Sequence, residues 1–224
     1  IKQFVDSITD YYGQVTELPV GESDFDLIIE DENRVKLARI KDTNSGNLVT
    51  DAMAEFAQCD IAFFNGGGIR TAVKAGHIKR GDIIAFLPYE NCLCTFTITG
   101  QQLLEILKAS VKPLPALNGS FLQVSGIKFD VQVFEDKDNE VSNVQVFDKN
   151  KKKYVPLAMN ASFEVAVSDY LLTDENFACM NRHFPDLVNH NVLVSDVVIN
   201  YIHDNCKGKV PSRDAKEETR INFR

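Results

Sequence analysis

No apolar run in this chain reaches the ~20 residues that a membrane-spanning helix requires. Basic residues are in deficit: 24 lysines and arginines stand against 32 aspartates and glutamates, a formal net charge of −8. A nucleic-acid-binding surface needs a basic stripe, and this balance argues against one. A small anion is a different matter, since two or three local arginines suffice to hold it. Histidine is scarce as well. His77, His183, His190 and His203 stand apart in the chain, and His77, beside Gly76 in a turn, reads as solvent-exposed. The five cysteines are odd in number. That leaves at least one thiol unpaired or paired outside the chain, and the count fixes no redox compartment. Cys92 and Cys94 fall two apart in a strand-like stretch, which points both to one face as small core residues rather than as half of a metal site. Repeats, low-complexity tracts and flexible linkers are also missing.

What is present suits a globular domain. A chain of 224 residues with 44% apolar content can bury one large core. It opens on Ile1 and not on a methionine, and is expected to be a fragment or a processed chain. Ile1, Phe4, Val5, Ile8, Tyr11 and Tyr12 recur at helical spacing. Residues 13–33 are acidic and irregular, with Pro19, Gly21 and Glu30-Asp31-Glu32, and are expected to form a solvated connection. The chain therefore divides into a helix and connection over 1–30 and one domain over 31–224.

Within that domain helices and strands mix. Asn44 or Ser45 is placed to cap a helix that buries Leu48, Met53 and Phe56. Ile61 to Phe64 read as a short buried strand, and Cys92 to Ile98 as another. Gly100 starts a helix with Leu103, Leu104 and Leu107 on one side, broken by Pro113 and Pro115. Ile127, Phe129, Val131 and Val133 alternate with Lys128, Asp130 and Gln132, as in a half-buried antiparallel strand. Val144 to Phe147 form its return, and Lys149, Lys151, Lys152 and Lys153 a solvated hairpin tip. Phe163, Val165 and Val167 make a further strand. Ser195 is expected to cap a last helix, and Arg220 to Phe223 to close as a final strand. The pattern gives an α+β, or mixed α/β, domain. Asn118-Gly119-Ser120 and Asn160-Ala161-Ser162 fit the glycosylation sequon, a pattern too short to carry weight.

The most informative run is Phe64-Asn65-Gly66-Gly67-Gly68-Ile69-Arg70. Three glycines remove every Cβ from a turn, so the backbone is free to reach φ > 0 and to approach a ligand closely. Exposed N–H groups, an amide and a guanidinium suit an anion that also carries hydrogen-bonding edges, such as a nucleotide. The same run equally suits a strand, a glycine-rich turn and a surface arginine.

Around it stand Asn44-Ser45-Gly46-Asn47-Leu48-Val49-Thr50-Asp51-Ala52-Met53, Gly81-Asp82-Ile83, Leu87-Pro88-Tyr89-Glu90-Asn91, Phe121-Leu122-Gln123-Val124-Ser125-Gly126 and Tyr170-Leu171-Leu172. In this order the set resembles the C-terminal domain of the 5'-nucleotidase family, which includes UDP-sugar hydrolases. The resemblance covers about residues 30–224. It implies a single domain layered α/β/β/α that recognises the substrate and does not cleave it. The implied partner is an N-terminal metallophosphoesterase domain, absent from this chain, that carries two divalent metals on Asp, His and Asn ligands. The chain has no Asp-x-His or Gly-Asn-His-Asp type of signature, so it is assigned no metal, no catalytic residue and no cofactor of its own. An extracellular, cell-surface or periplasmic location is likewise implied by the resemblance alone.

Carried over by motif position, the resemblance makes Arg39 and Arg70 phosphate-holding arginines, with Lys41 as a helper; Val35 stands where some relatives have a further arginine. Asn65 becomes the amide that contacts the base, with Gly67 and Gly68 in the loop beside it. Tyr89 takes the place of the first stacking ring, Asn91 is the asparagine that follows it, and Tyr170 takes the place of the second ring. Read without the motif, both tyrosines also suit core positions with hydroxyls at the surface. One departure stands out. Where relatives carry two glycines and an aspartate that holds the ribose, this chain has Asp174-Glu175-Asn176. An amide oxygen still accepts a hydrogen bond, but the charge is gone, and two added carboxylates are placed to repel a phosphate. Three readings follow. The chain is the nucleotide-recognition domain of a 5'-nucleotidase-like phosphoric monoester hydrolase, inactive by itself. Alternatively it is a degenerate, non-catalytic binding module, or it serves a hydrolase of cyclic nucleotides or another phosphate ester.

Overall fold

The computed structural model describes residues 12–180, 183–211 and 219–224. The predicted N-terminal helix falls almost wholly on residues 1–11, outside that range. No helix among the described residues is long and apolar enough to cross a membrane.

The strands are β1 (Pro19–Ser23), β2 (Ile61–Asn65), β3 (Gly76–Lys79), β4 (Cys92–Thr99), β5 (Leu122–Ser125), β6 (Ile127–Gln132), β7 (Glu140–Asp148), β8 (Lys153–Pro156), β9 (Ser162–Ser168), β10 (Val188–Leu193) and β11 (Ile221–Phe223). The principal helices are α1 (Asn44–Ala57), α2 (Arg80–Phe86), α3 (Gly100–Val111) and α4 (Val194–Asn200). A five-stranded sheet runs in the order β10-β4-β9-β2-β5, a four-stranded sheet in the order β11-β6-β7-β8, and β1 pairs with β3. Both larger sheets are mixed: β2 lies parallel to β9 and antiparallel to β5, and β11 lies parallel to β6. The expected mixed α/β class is what forms.

Both faces of β2 are buried, so its residues split between two cores. Ala62 and Phe64 face a core built with Leu48, Val49 and Met53 of α1 and Val197 and Val198 of α4. Ile61 and Phe63 face the other core, which Leu103 and Leu107 of α3 share with Ile127, Phe129 and Val131 of β6. The chain passes from β5 into β6, and so from one sheet to the other, through a single residue. Gly126 holds φ at +78°, and a Cβ there would stand 2.0 Å from the Asp60 carbonyl oxygen. Only glycine fits that crossing.

Several local expectations need correction. The stretch expected as a solvated connection contains β1, and Val20, Leu27 and Ile29 are core residues. The cap of α1 is Thr43, whose hydroxyl accepts from the Gly46 N–H at 3.1 Å. Asn44 serves the preceding segment instead: its Oδ1 accepts from the Ile28 N–H and its Nδ2 donates to the Asp26 carbonyl, both at 2.8 Å. Phe56, expected inside, is exposed and meets His190 edge-on. Leu193, not Ser195, occupies the cap position of α4, without a side-chain bond; Ser195 is buried within the helix. The lysine tip runs into β8, which the charges concealed. Cys94 is buried and Cys92 only half-buried, and all four histidines are exposed.

Candidate functional site

Gln123 of β5 sets one wall of the site. Its buried amide donates to the carbonyls of Ala38 and Lys41 at 3.0 and 2.8 Å and accepts from the Thr43 N–H at 2.9 Å. This pins the short 3-10 turn Leu37–Arg39, so that half-buried Arg39 is delivered from a fixed backbone. The glycine triplet follows β2 as a second 3-10 turn, Gly66–Gly68. Positive φ values among the described glycines fall at Gly76, Gly126 and Gly208, not in the triplet. The reason for glycine is close approach to the protein itself. A Cβ on Gly66 would stand 1.7 Å from the Ala38 carbonyl oxygen, and one on Gly67 would stand 2.8 Å from Cα of Gly119. The Gly66 and Gly67 N–H groups donate to the carbonyls of Phe121 and Gly119 at 2.7 and 2.8 Å. The expectation that these two N–H groups await a ligand is therefore wrong; both are committed to the Asn118–Phe121 segment.

The side chains around the turn do converge. Arg39, Asn65, Gly67, Arg70, Tyr89, Asn91, Asn118, Gly119, Ser120 and Tyr170 line one cavity of about 410 Å³, within the roughly 300–1,000 Å³ usual for small-molecule sites. A larger hollow of about 500 Å³ lies around Asp51, Cys59, Lys149 and Tyr154. There Lys149 Nζ already donates to the carbonyls of Gln58 and Cys59, and the Phe147 and Tyr154 rings pack edge-on against each other. The smaller cavity is the better candidate because its cations and rings are open. Arg70 is exposed, and its guanidinium makes only a long contact, 3.4 Å, to the Gly67 carbonyl among the described residues. Tyr89 is 50% and Tyr170 44% exposed, so neither ring belongs to the core. Tyr89 precedes β4 and Tyr170 lies in the 3-10 turn Asp169–Leu172 that follows β9; β4 begins where its antiparallel neighbour β9 ends. Asn65 is buried, with Nδ2 directed at the Gly119 carbonyl 3.4 Å away and an Oδ1 that has no partner among the described residues.

Three expected residues fall elsewhere. Gly68 does not line the cavity; a Cβ there would press on the Phe64 ring at 2.7 Å. Asn176 stands one step behind the wall, donating from Nδ2 to the Ser120 hydroxyl at 3.0 Å and to Asp174 Oδ1 at 2.7 Å. Lys41 lines a different hollow, with Asp42 and Phe223. Asp174 is not a loose carboxylate facing the phosphate position. It is buried and accepts from the Ser120 hydroxyl at 2.7 Å and from the Asn176 N–H at 2.9 Å. Burial alone would raise its pKa, but bonds from Ser120, Asn176 and Tyr170 outweigh that and hold it below the usual value. The Tyr170 phenol is pushed up, by burial first and then by the Asp174 carboxylate beside it.

Sequence reasoning missed Asn118, Gly119 and Ser120. They sit immediately before the Phe121-Leu122-Gln123-Val124-Ser125-Gly126 run, where the sequence shows only a sequon. Their turn chemistry was the available signal: the Asn118 side chain accepts from the Ser120 N–H at 2.9 Å, an Asx turn that shapes the wall. Among the described residues no three His, Cys, Asp or Glu side chains gather as a metal site.

The family model of the 5'-nucleotidase C-terminal domain matches residues 19–182. The chain belongs to that family. The match opens at β1, inside the stretch expected to form a connection. Over 174 residues the chain is 29% identical to the trifunctional nucleotide phosphoesterase protein YfkN of Bacillus subtilis, covering 76% of this chain and 12% of that protein. It is 26% identical over 170 residues to the 5'-nucleotidase of Vibrio cholerae, covering 75% of this chain and 28% of that protein. The crystal structure of a 5'-nucleotidase precursor from Thermus thermophilus superposes with a TM-score of 0.84 at 26% identity, over 99% of this chain and 42% of that one. The chain thus spans less than half the length of each of these relatives.

Proposed function

We propose that the cavity is a nucleotide-recognition site. The base lies between Tyr89 and Tyr170, Asn65 meets its edge, and Arg39 and Arg70 hold the phosphate. The observation that carries this reading is the convergence of two half-exposed tyrosines and two arginines on one cavity of about 410 Å³. Two rings hide the apolar faces of a flat heterocycle without naming the base, each stacking contact contributing ~1–3 kcal/mol. Arginine bonds to phosphate add roughly 1.5–3 kcal/mol each where sheltered from water. Asn65 lines the same cavity, and its amide brings both hydrogen-bond donors and an acceptor to the base edge.

In the full-length protein the domain presents a phosphoric monoester to a metallophosphoesterase domain. Two metals there would supply an electrophilic clamp for the attacking and leaving oxygens. This chain's own part is to bind and orient. By itself it binds nucleotide and does not hydrolyse it. Calorimetry with AMP, adenosine and inorganic phosphate tests the binding, and a phosphate-release assay with added Zn²⁺ or Mn²⁺ tests the inactivity. Absence of nucleotide binding overturns the first statement, and turnover that survives repurification overturns the second. The displacement of Asn176 from the cavity favours a second reading, a binding module that keeps the fold without serving hydrolysis. Nucleotide hydrolysis by the full-length protein, lost on changing Tyr89 or Arg70, decides against it.

A further inference from the structure

Ser120 lines the cavity, is 6% exposed, and has a fully assignable hydroxyl. A serine hydroxyl offers one hydrogen and two lone pairs. The hydrogen goes to Asp174 Oδ2 at 2.7 Å, and one lone pair receives Asn176 Nδ2 at 3.0 Å. The directions are forced. Asn176 Nδ2 has two hydrogens and divides them between Ser120 and Asp174 Oδ1. The Asp174 carboxylate has no hydrogen to give. The remaining lone pair of Ser120 has no protein partner among the described residues. Any further bond to this hydroxyl can therefore be made only by a donor.

Its position says what it would accept from. Asp174, which holds Ser120, also lies beside the Tyr170 hydroxyl. On the other side Ser120 adjoins Gly119, where a Cβ would be 3.9 Å from Arg39 Nη1. Ser120 thus stands between a ring of the base clamp and a phosphate-holding arginine. In a nucleotide that is the place of the sugar.

We propose that Ser120 is a specificity-determining residue of this cavity, reading a ribose hydroxyl as a hydrogen-bond donor, with Asp174 as the positioning residue that orients it. The proposal rests on the nucleotide reading above. It gives two residues of the Asp174-Glu175-Asn176 run a role: Asp174 and Asn176 hold the serine in place.

Calorimetry on the unaltered protein with AMP, 2'-deoxy-AMP and 3'-deoxy-AMP tests it first. One deoxy analogue is expected to bind roughly fivefold to tenfold more weakly, the effect of one lost hydrogen bond. Ser120→Ala should weaken AMP by a similar factor and erase the difference between the analogues, while Ser120→Thr, which keeps the hydroxyl, should preserve it. Asp174→Asn should also erase the difference and return the Tyr170 phenol, followed by ultraviolet titration, toward its ordinary value. Equal affinity for all three ligands, with AMP binding intact, overturns the proposal and leaves the nucleotide reading standing. Absence of AMP binding overturns both. The analogue comparison needs no substitution, so a misfolded variant cannot obscure the result.

Discussion

Leu93 and Ser168 sit directly opposite one another on antiparallel β4 and β9. That pairing places the segment before β4 beside the segment after β9. It is the reason two tyrosines from distant parts of the sequence share a rim. A strand slip of one residue would turn every side chain of β4 to the other face, so the register that fills the core also holds the rings together.

Alanine at Tyr89 or Tyr170 is expected to weaken nucleotide binding by about 1–3 kcal/mol. The melting temperature should stay nearly constant, because both rings are half-exposed and contribute little to either core. Calorimetry paired with a thermal melt checks this. A large drop in melting temperature with unchanged affinity would make the rings structural.

Arg39→Ala and Arg70→Ala are each expected to cost nucleotide binding ~1.5–3 kcal/mol and to leave free nucleoside nearly unaffected. Titration of AMP and adenosine against both variants separates the contributions. Equal losses for the two ligands would point to a structural role for the arginine.

Much of the candidate site's lining was legible in the sequence because side-chain chemistry and motif order carry it. Arg39, Asn65, Arg70, Tyr89, Asn91 and Tyr170 all line the cavity as the motifs imply. What escaped was decided by backbone proximity. Nothing local in Gly66-Gly67-Gly68 reveals that Ala38 and Gly119 press against it. Asp174 read as a repulsive charge because its partner Ser120 lies far away in the chain. The elements followed the same rule. Alternation exposed β6 and β9, and helical spacing exposed α1 and α3. By contrast β1, β3, β8 and β10 are short or polar edge pieces with little periodicity to see.

The carboxylate of Asp174 predicts an acid-sensitive site. Its folded-state pKa lies below the ordinary 3.8. Its contribution to stability is therefore fully present above that value and is lost as pH falls through the lower, folded one. Asp174→Asn should remove that part of the acid dependence, so that melting curves of the two proteins converge in strong acid and differ above pH 4. Parallel curves across the whole range would show that Asp174 is not coupled to folding.

Gly126→Ala is expected to destabilise the protein by at least ~2 kcal/mol, since the residue holds a left-handed conformation and has a carbonyl in the space of its Cβ. Denaturant unfolding measures it. A change below about 0.5 kcal/mol would mean that the two sheets separate easily at this point.

Two thiols should be silent in the native state. Burial pushes Cys59 up to about 12, aided by the Glu164 and Asp60 carboxylates, and pushes Cys94 up to about 11. Since the thiolate is the reactive form, alkylation at pH 8 followed by peptide mapping should find both unmodified until the chain is unfolded. Rapid native labelling of either would contradict their burial.

The contacts of the glycine turn bear on how this site can be re-engineered. Gly66 abuts Ala38 and donates to Phe121, Gly67 donates to Gly119, and the Asn118 N–H donates to the Arg39 carbonyl. Three stretches far apart in sequence are thereby fastened backbone to backbone into one rigid collar. Moving the Asn65–Arg70 loop alone into a relative would bring the motif but not its mould. The smallest portable unit is the set of all three stretches, exchanged together.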